Sequence, residues 1–136
     1  MYKINLSKST LFLLFPLIIF IFNKKNNYEI ILSLLLLTNI ILSFLFWNNP
    51  VKNNNIHFYD GLFGKISFLV FSIYIIFIKN INYKIKLLFI IILIFSLIMF
   101  YYSNYYSKNK WCCKKHLFYH SIFHYLISCG CCIAFI

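Results

Sequence analysis

Acidic residues are almost absent from this 136-residue sequence: Glu29 and Asp60 are the only two. Arginine is missing, so all 13 basic residues are lysines. The charged fraction is 11% and the hydrophobic fraction 62%, whereas a soluble domain is about a quarter charged and about half apolar. That shortage of charge excludes a soluble globular enzyme. The net charge of +11 reflects missing acids rather than a basic face. The lysines sit between apolar runs, so nucleic acid is not read as a partner. The lipid bilayer is.

A hydrocarbon core about 30 Å thick needs roughly 20 apolar residues as a helix. Five such stretches follow one another, at about residues 9–22, 28–47, 58–78, 85–102 and 116–136. Short linkers rich in Asn and Lys separate them, which keeps sequential helices adjacent. The sequence therefore predicts an all-α fold, a single multi-pass transmembrane helix bundle over residues 1–136 with about five spans. The first stretch follows Lys3 and Lys8 as a signal peptide would, but no small-residue cleavage site follows Phe22. It is read as a retained span, kinked at Pro16. No repeat is visible, and the heavy use of Ile, Asn, Lys, Phe and Tyr has the pattern of AT-rich coding sequence.

With five spans, Lys3, Lys8, Lys52, Lys108, Lys110, Lys114 and Lys115 share one side of the membrane. Lys24, Lys25, Lys79, Lys84 and Lys86 fall on the other, together with Glu29. Lys65 is read as snorkelling towards the richer side. The excess of lysine on the N-terminal side predicts a cytoplasmic N-terminus and a C-terminus across the membrane. Glu29 is left outside any constellation.

Polar groups inside a membrane are costly, so function is sought there. His116, His120 and His124 recur at four-residue spacing, which stacks them on one helix face. Two imidazoles so placed can ligate one metal ion; interfacial histidines that bond neighbours or headgroups would look the same. Asp60 opens the third span, with Gly61 and Gly64 expected to let helices approach closely. An acid there also suits the positive end of the helix dipole. Asn39, Ser43 and Trp47 follow at four-residue steps near the end of the second span. Bonding across helices explains Ser and Asn equally well, and Trp47 reads as an interfacial belt residue. The end of span two, the start of three and the start of five share one side. Ser43, His57, Asp60, His120 and His124 can thus converge one or two turns into the membrane.

This order of residues resembles the superfamily of membrane hydrolases that includes the alkaline ceramidases and the adiponectin and progestin receptors. The matching stretches are Ser43-Phe-Leu-Phe-Trp47, Asp60 in HFYDGLFGK, and His120-Ser-Ile-Phe-His124 in YHSIFHYLISCG. Two departures stand out. Trp47 occupies the place of the family's first His, and the family has seven helices against five here. Indole N–H only donates and cannot hold a metal. The resemblance implies a zinc-dependent amide hydrolase acting on a membrane lipid. His120 and His124 would bind Zn²⁺, with His57 as third ligand or His116 in its stead. Asp60 would be the general base and Ser43 the donor to the developing oxyanion.

Five cysteines, Cys112, Cys113, Cys129, Cys131 and Cys132, make an odd count with adjacent pairs and no disulfide framework. Cys112 and Cys113 lie beside lysines at a membrane interface, a setting for S-palmitoylation. Cys129, Cys131 and Cys132 read as small packing residues. Two further functional readings stand beside the hydrolase. One is a non-catalytic membrane protein that shapes the membrane or binds partners. The other is a metal-binding or metal-transporting protein using Cys112, Cys113, His116 and His120, although a transport pathway ordinarily needs more acidic or His residues.

Overall fold

A computed structural model describes residues 8–136 of the protein; Lys3, one of the N-terminal lysines, lies outside the described residues. The described chain is an all-α bundle of five helices. They are α1 (Leu14–Phe22), α2 (Asn27–Asn48), α3 (Asn55–Ile73, continued by a π-helical turn, Tyr74–Ile78), α4 (Tyr83–Asn109) and α5 (Lys114–Phe135). The four from α2 to α5 are long and apolar enough to cross a membrane. The apolar helix Lys8–Phe22 is shorter; at 1.5 Å per residue it reaches only about 22 Å, short of a full bilayer core.

Pro16 does shape that first segment. A proline lacks the N–H that would bond the carbonyl four residues back, here that of Phe12. Residues 12–13 form a turn instead, held by the tighter bonds of Phe12 N to the Ser9 carbonyl (3.2 Å) and Leu13 N to Thr10 (3.0 Å). The Phe12 carbonyl is not left bare. It accepts from Phe15 N at 3.1 Å and from Ser128 Oγ of α5 at 2.8 Å. A kink in one helix thereby becomes a tie to another.

Helices run alternately up and down. α4 packs along α5, α2 along α3, and α1 fills the groove between α5 and α2. Leu32, Leu36 and Ile40 recur every four residues on α2 and bury one stripe, which meets Phe71, Ile75, Phe89 and Phe135 in the main core. A smaller cluster of Phe46, Trp47 and Leu117 closes the other end, roofed by Trp111. Large apolar side chains such as Leu69, Phe77, Leu87 and Ile94 remain outward and exposed, as a bundle solvated by lipid requires.

Span boundaries differ from expectation mainly at α4. It continues through Asn109, about two turns beyond the expected end near 102. That extension, SNYYSKN, reads as a linker by polarity, yet it packs through Tyr106, next to Tyr102 of the expected span. Tyr102 and Tyr106 both stack on Tyr119 of α5, with ring centroids 5.2 and 5.5 Å apart, and Lys115 Nζ lies 5.2 Å over Tyr106. Aromatic packing keeps the segment helical where hydropathy alone would end it.

Candidate functional site

Three of the helices begin with the same local device. At α2, Asn26 accepts from Glu29 N (2.8 Å), and Glu29 Oε2 accepts from Asn26 N (3.2 Å), a reciprocal capping box. At α3, Asn54 Oδ1 accepts from His57 N at 2.7 Å, and His57 Nδ1 accepts from Asn53 N at 3.1 Å. At α5, Cys113 Sγ accepts from His116 N at 3.4 Å, and His116 Nδ1 accepts from Cys112 N at 3.2 Å. In both His versions the residue before the cap, Asn53 or Cys112, takes a left-handed backbone (φ 64° and 53°). That turn aims its N–H at the ring.

This bonding decides what His57 and His116 can do. A ring nitrogen that accepts from an amide carries no proton, so the ring's proton is on Nε2, a donor. Neither ring then offers a metal lone pair. His57 is stacked on Phe46 (4.8 Å between centroids) and edge-on to Trp111 (5.2 Å). The expected roles of His57 and of His116 as third ligand are thus replaced by capping roles. Spacing signalled it: Asn-x-x-His, Cys-x-x-His and Asn-x-x-Glu all fit a cap followed by its N3 partner.

His120 and His124 are different. Their rings lie 4.7 Å apart, and each Nδ1 meets a serine hydroxyl. His120 pairs with Ser103 of α4 at 3.0 Å, and His124 with the buried Ser9 at 3.1 Å. A hydroxyl can accept as well as donate, so Nδ1–H can be the donor and leave Nε2 as a lone pair. Ser43 and Asp60 meet as expected, Ser43 Oγ donating to Asp60 Oδ1 across α2 and α3. Truncating Ser43 removes the one side-chain hydrogen bond that Asp60 makes among the described residues. Ser43→Ala is expected to cost about 1–3 kcal/mol. In an equilibrium SDS titration from maltoside micelles, the double variant Ser43→Ala/Asp60→Asn should cost less than the two singles together.

Trp47 is not a belt residue. It is 2% exposed, within 4.8 Å of the His120 ring and 5.9 Å of His116, centroid to centroid, and its Nε1–H has no partner among the described residues. Indole fills the space beside His120 where the resemblance would place an imidazole. Among the described residues, no group of three or more His, Cys, Asp or Glu side chains is arranged to hold a metal ion. The donor set therefore does not fit a three-ligand zinc centre, nor the alternative centre of Cys112, Cys113, His116 and His120. Cys113 serves as a cap and Cys131 is buried in the core.

Ser43 and His124 nevertheless share a cavity of about 90 Å³ between α2, α3, α4 and α5, with Asn39, Ser67 and Ser96 also in its wall. The remainder of the wall is largely Phe, Leu and Ile. Gly61 and Gly64 do not bring helices together: a Cβ built on either meets nothing within 4 Å. Gly64 is instead both exposed and part of the cavity wall. Gly64 thus adds no side-chain bulk where the apolar span of α3 borders the cavity.

Glu29 requires a second correction. It is 5% exposed and sits at the hub of a polar clasp at the opposite end of the bundle. Lys79 Nζ lies 2.9 Å from Glu29 Oε1 and donates to the Ala134 carbonyl at 2.8 Å. Tyr74 Oη donates to Glu29 at 3.0 Å, and Asn23 Nδ2 to the Phe135 carbonyl at 2.8 Å. The π turn at Tyr74–Ile78 lies beside this clasp, and Lys79 N closes it onto the Tyr74 carbonyl at 2.7 Å.

No family model, curated protein or solved structure matches the chain. Among the described residues, four helices are long and apolar enough for a membrane-spanning protein.

Proposed function

We propose that the protein is a multi-pass membrane protein that admits a lipid past Gly64 and holds its head against Ser43 and His124, with Asp60 bonded behind Ser43. One observation carries this reading. Ser43, bonded to Asp60, and His124 face a single cavity whose wall is mostly apolar and includes the exposed Gly64 of a span. A lipid chain can enter from the hydrocarbon without crossing water, and the polar groups inside compensate the head group's lost hydration. The reading is a binding role without metal chemistry, because the tautomers of His57 and His116 and the indole at position 47 leave too few ligands for zinc. The lysine excess on the N-terminal side supports a cytoplasmic N-terminus.

Blocking the mouth tests it. Gly64→Phe is expected to reduce lipid that co-purifies with the protein by about tenfold, the factor that 1.4 kcal/mol of lost binding gives, measured by mass spectrometry after extensive detergent exchange. Equal retention in wild type and Gly64→Phe would count against a seated lipid.

A second reading, the zinc-dependent lipid amide hydrolase, is favoured by the His120–His124 pair and its two serine-anchored rings, since metal-bound histidines usually have their other nitrogen hydrogen-bonded. It requires stoichiometric zinc in the wild-type protein, lost in His120→Ala and His124→Ala.

A further inference from the structure

The head group that this cavity accepts is marked by an unmatched acceptor. Asn39 is 7% exposed and lies on the same face of α2 as Ser43, in the cavity wall. Its amide nitrogen donates to the Leu35 carbonyl at 3.0 Å and to Ser67 Oγ. A backbone carbonyl can only accept, so the nitrogen must be the atom facing Leu35. This fixes the orientation of the amide and leaves Oδ1 as the remaining group. Oδ1 is buried and has no hydrogen-bond partner among the described residues. An unsatisfied buried acceptor destabilises the bundle, and a ligand that supplies a donor relieves it.

The other polar groups of the wall do not supply that donor. Ser96 Oγ is bonded to the Ile92 carbonyl at 2.8 Å, Ser72 Oγ to the Phe68 carbonyl at 2.7 Å, and Ser43 to Asp60. Ser67 receives the Asn39 amide, and His124 Nδ1 faces Ser9. The wall is therefore short of a donor at Asn39. Its volume of about 90 Å³ suits a head group with a few methylenes, the rest of the chain lying past Gly64.

We propose that the cavity selects single-chain lipids whose head group donates a hydrogen bond through a hydroxyl, with Asn39 Oδ1 as the acceptor, over lipids of the same length that can only accept. This rests on the lipid-holding reading of the cavity. It goes further in naming the head-group chemistry and the residue that reads it.

The test is equilibrium binding of radiolabelled 1-tetradecanol and methyl myristate to the full chain in maltoside micelles. The alcohol should bind about tenfold tighter than the ester, the order of one buried hydrogen bond. Asn39→Leu should bring the two to equal affinity, while Gly64→Phe weakens both. Equal binding of alcohol and ester by the wild-type protein overturns the selection of donors and leaves the lipid site standing. Binding of neither probe overturns the lipid site as well. The wild-type comparison decides the matter even if Asn39→Leu does not fold, and a preference that survives in a folded Asn39→Leu removes Asn39 from the proposal.

Discussion

Replacing Trp47 by histidine is expected to raise bound zinc from well below one to about one ion per chain in the detergent-purified protein, since three imidazoles suffice for a zinc centre with an open position. The indole ring lies 4.8 Å from His120, and His120 lies 4.7 Å from His124. A histidine at position 47 would bring a third imidazole to the same level of the bundle. Ser103 and Ser9 already meet the Nδ1 atoms of the other two, as outer partners of metal-bound histidines do. The exchange also removes an indole N–H that has no partner among the described residues, which offsets part of the packing lost from a residue 2% exposed. Metal analysis by mass spectrometry, with and without His120→Ala in the same background, checks it. Zinc that is indifferent to position 47 would mean that the indole does not stand in a ligand's place.

Lys79→Met is expected to destabilise the fold by about 3–5 kcal/mol, because it leaves the Glu29 carboxylate buried without its cation. The side chains of Lys79 and Glu29 are 11% and 7% exposed, so solvent screens little of the loss. The same ammonium also holds the Ala134 carbonyl, which would lose its donor. Tyr74 and the Asn26 amide would still bond Glu29, which limits the damage to the charge itself. Glu29→Gln/Lys79→Met should recover most of the loss, since a neutral amide needs no counter-charge. Equilibrium SDS titration of the two variants against wild type separates the cases. A Lys79→Met protein as stable as wild type would show that the clasp contributes nothing.

Much of the architecture is readable from local sequence. Run length identifies the spans because the hydrocarbon thickness dictates how many apolar residues a helix must present. Scarcity of acids is equally informative, since a carboxylate in lipid must find a partner. Both acids do: Glu29 has Lys79, and Asp60 has Ser43. The end of α4 is where this logic fails. Hydropathy counts Tyr, Ser and Asn as polar, but Tyr106, beyond the expected end at 102, is kept helical by Tyr119 on another helix.

The histidines divide along the same line. His57 and His116 sit three residues after a cap, a local relation that spacing alone reveals. His120 and His124 share an equally regular spacing with His116, yet their environment comes from Ser103 and Ser9, which are 17 and 115 residues distant in the chain. Spacing puts all three on one face but says nothing of which nitrogen is occupied. Glu29 is a similar case, because its cation is 50 residues away. Sequence by itself determined a multi-helix, acid-poor bundle with its polar residues gathered near the ends of spans. Only the tertiary structure decided which rings are caps, what stands beside His120, and that glycine at position 64 lines a cavity instead of closing a contact. Those outcomes depend on helix rotation and on partners remote in the chain, and neither is encoded in the period of any one helix.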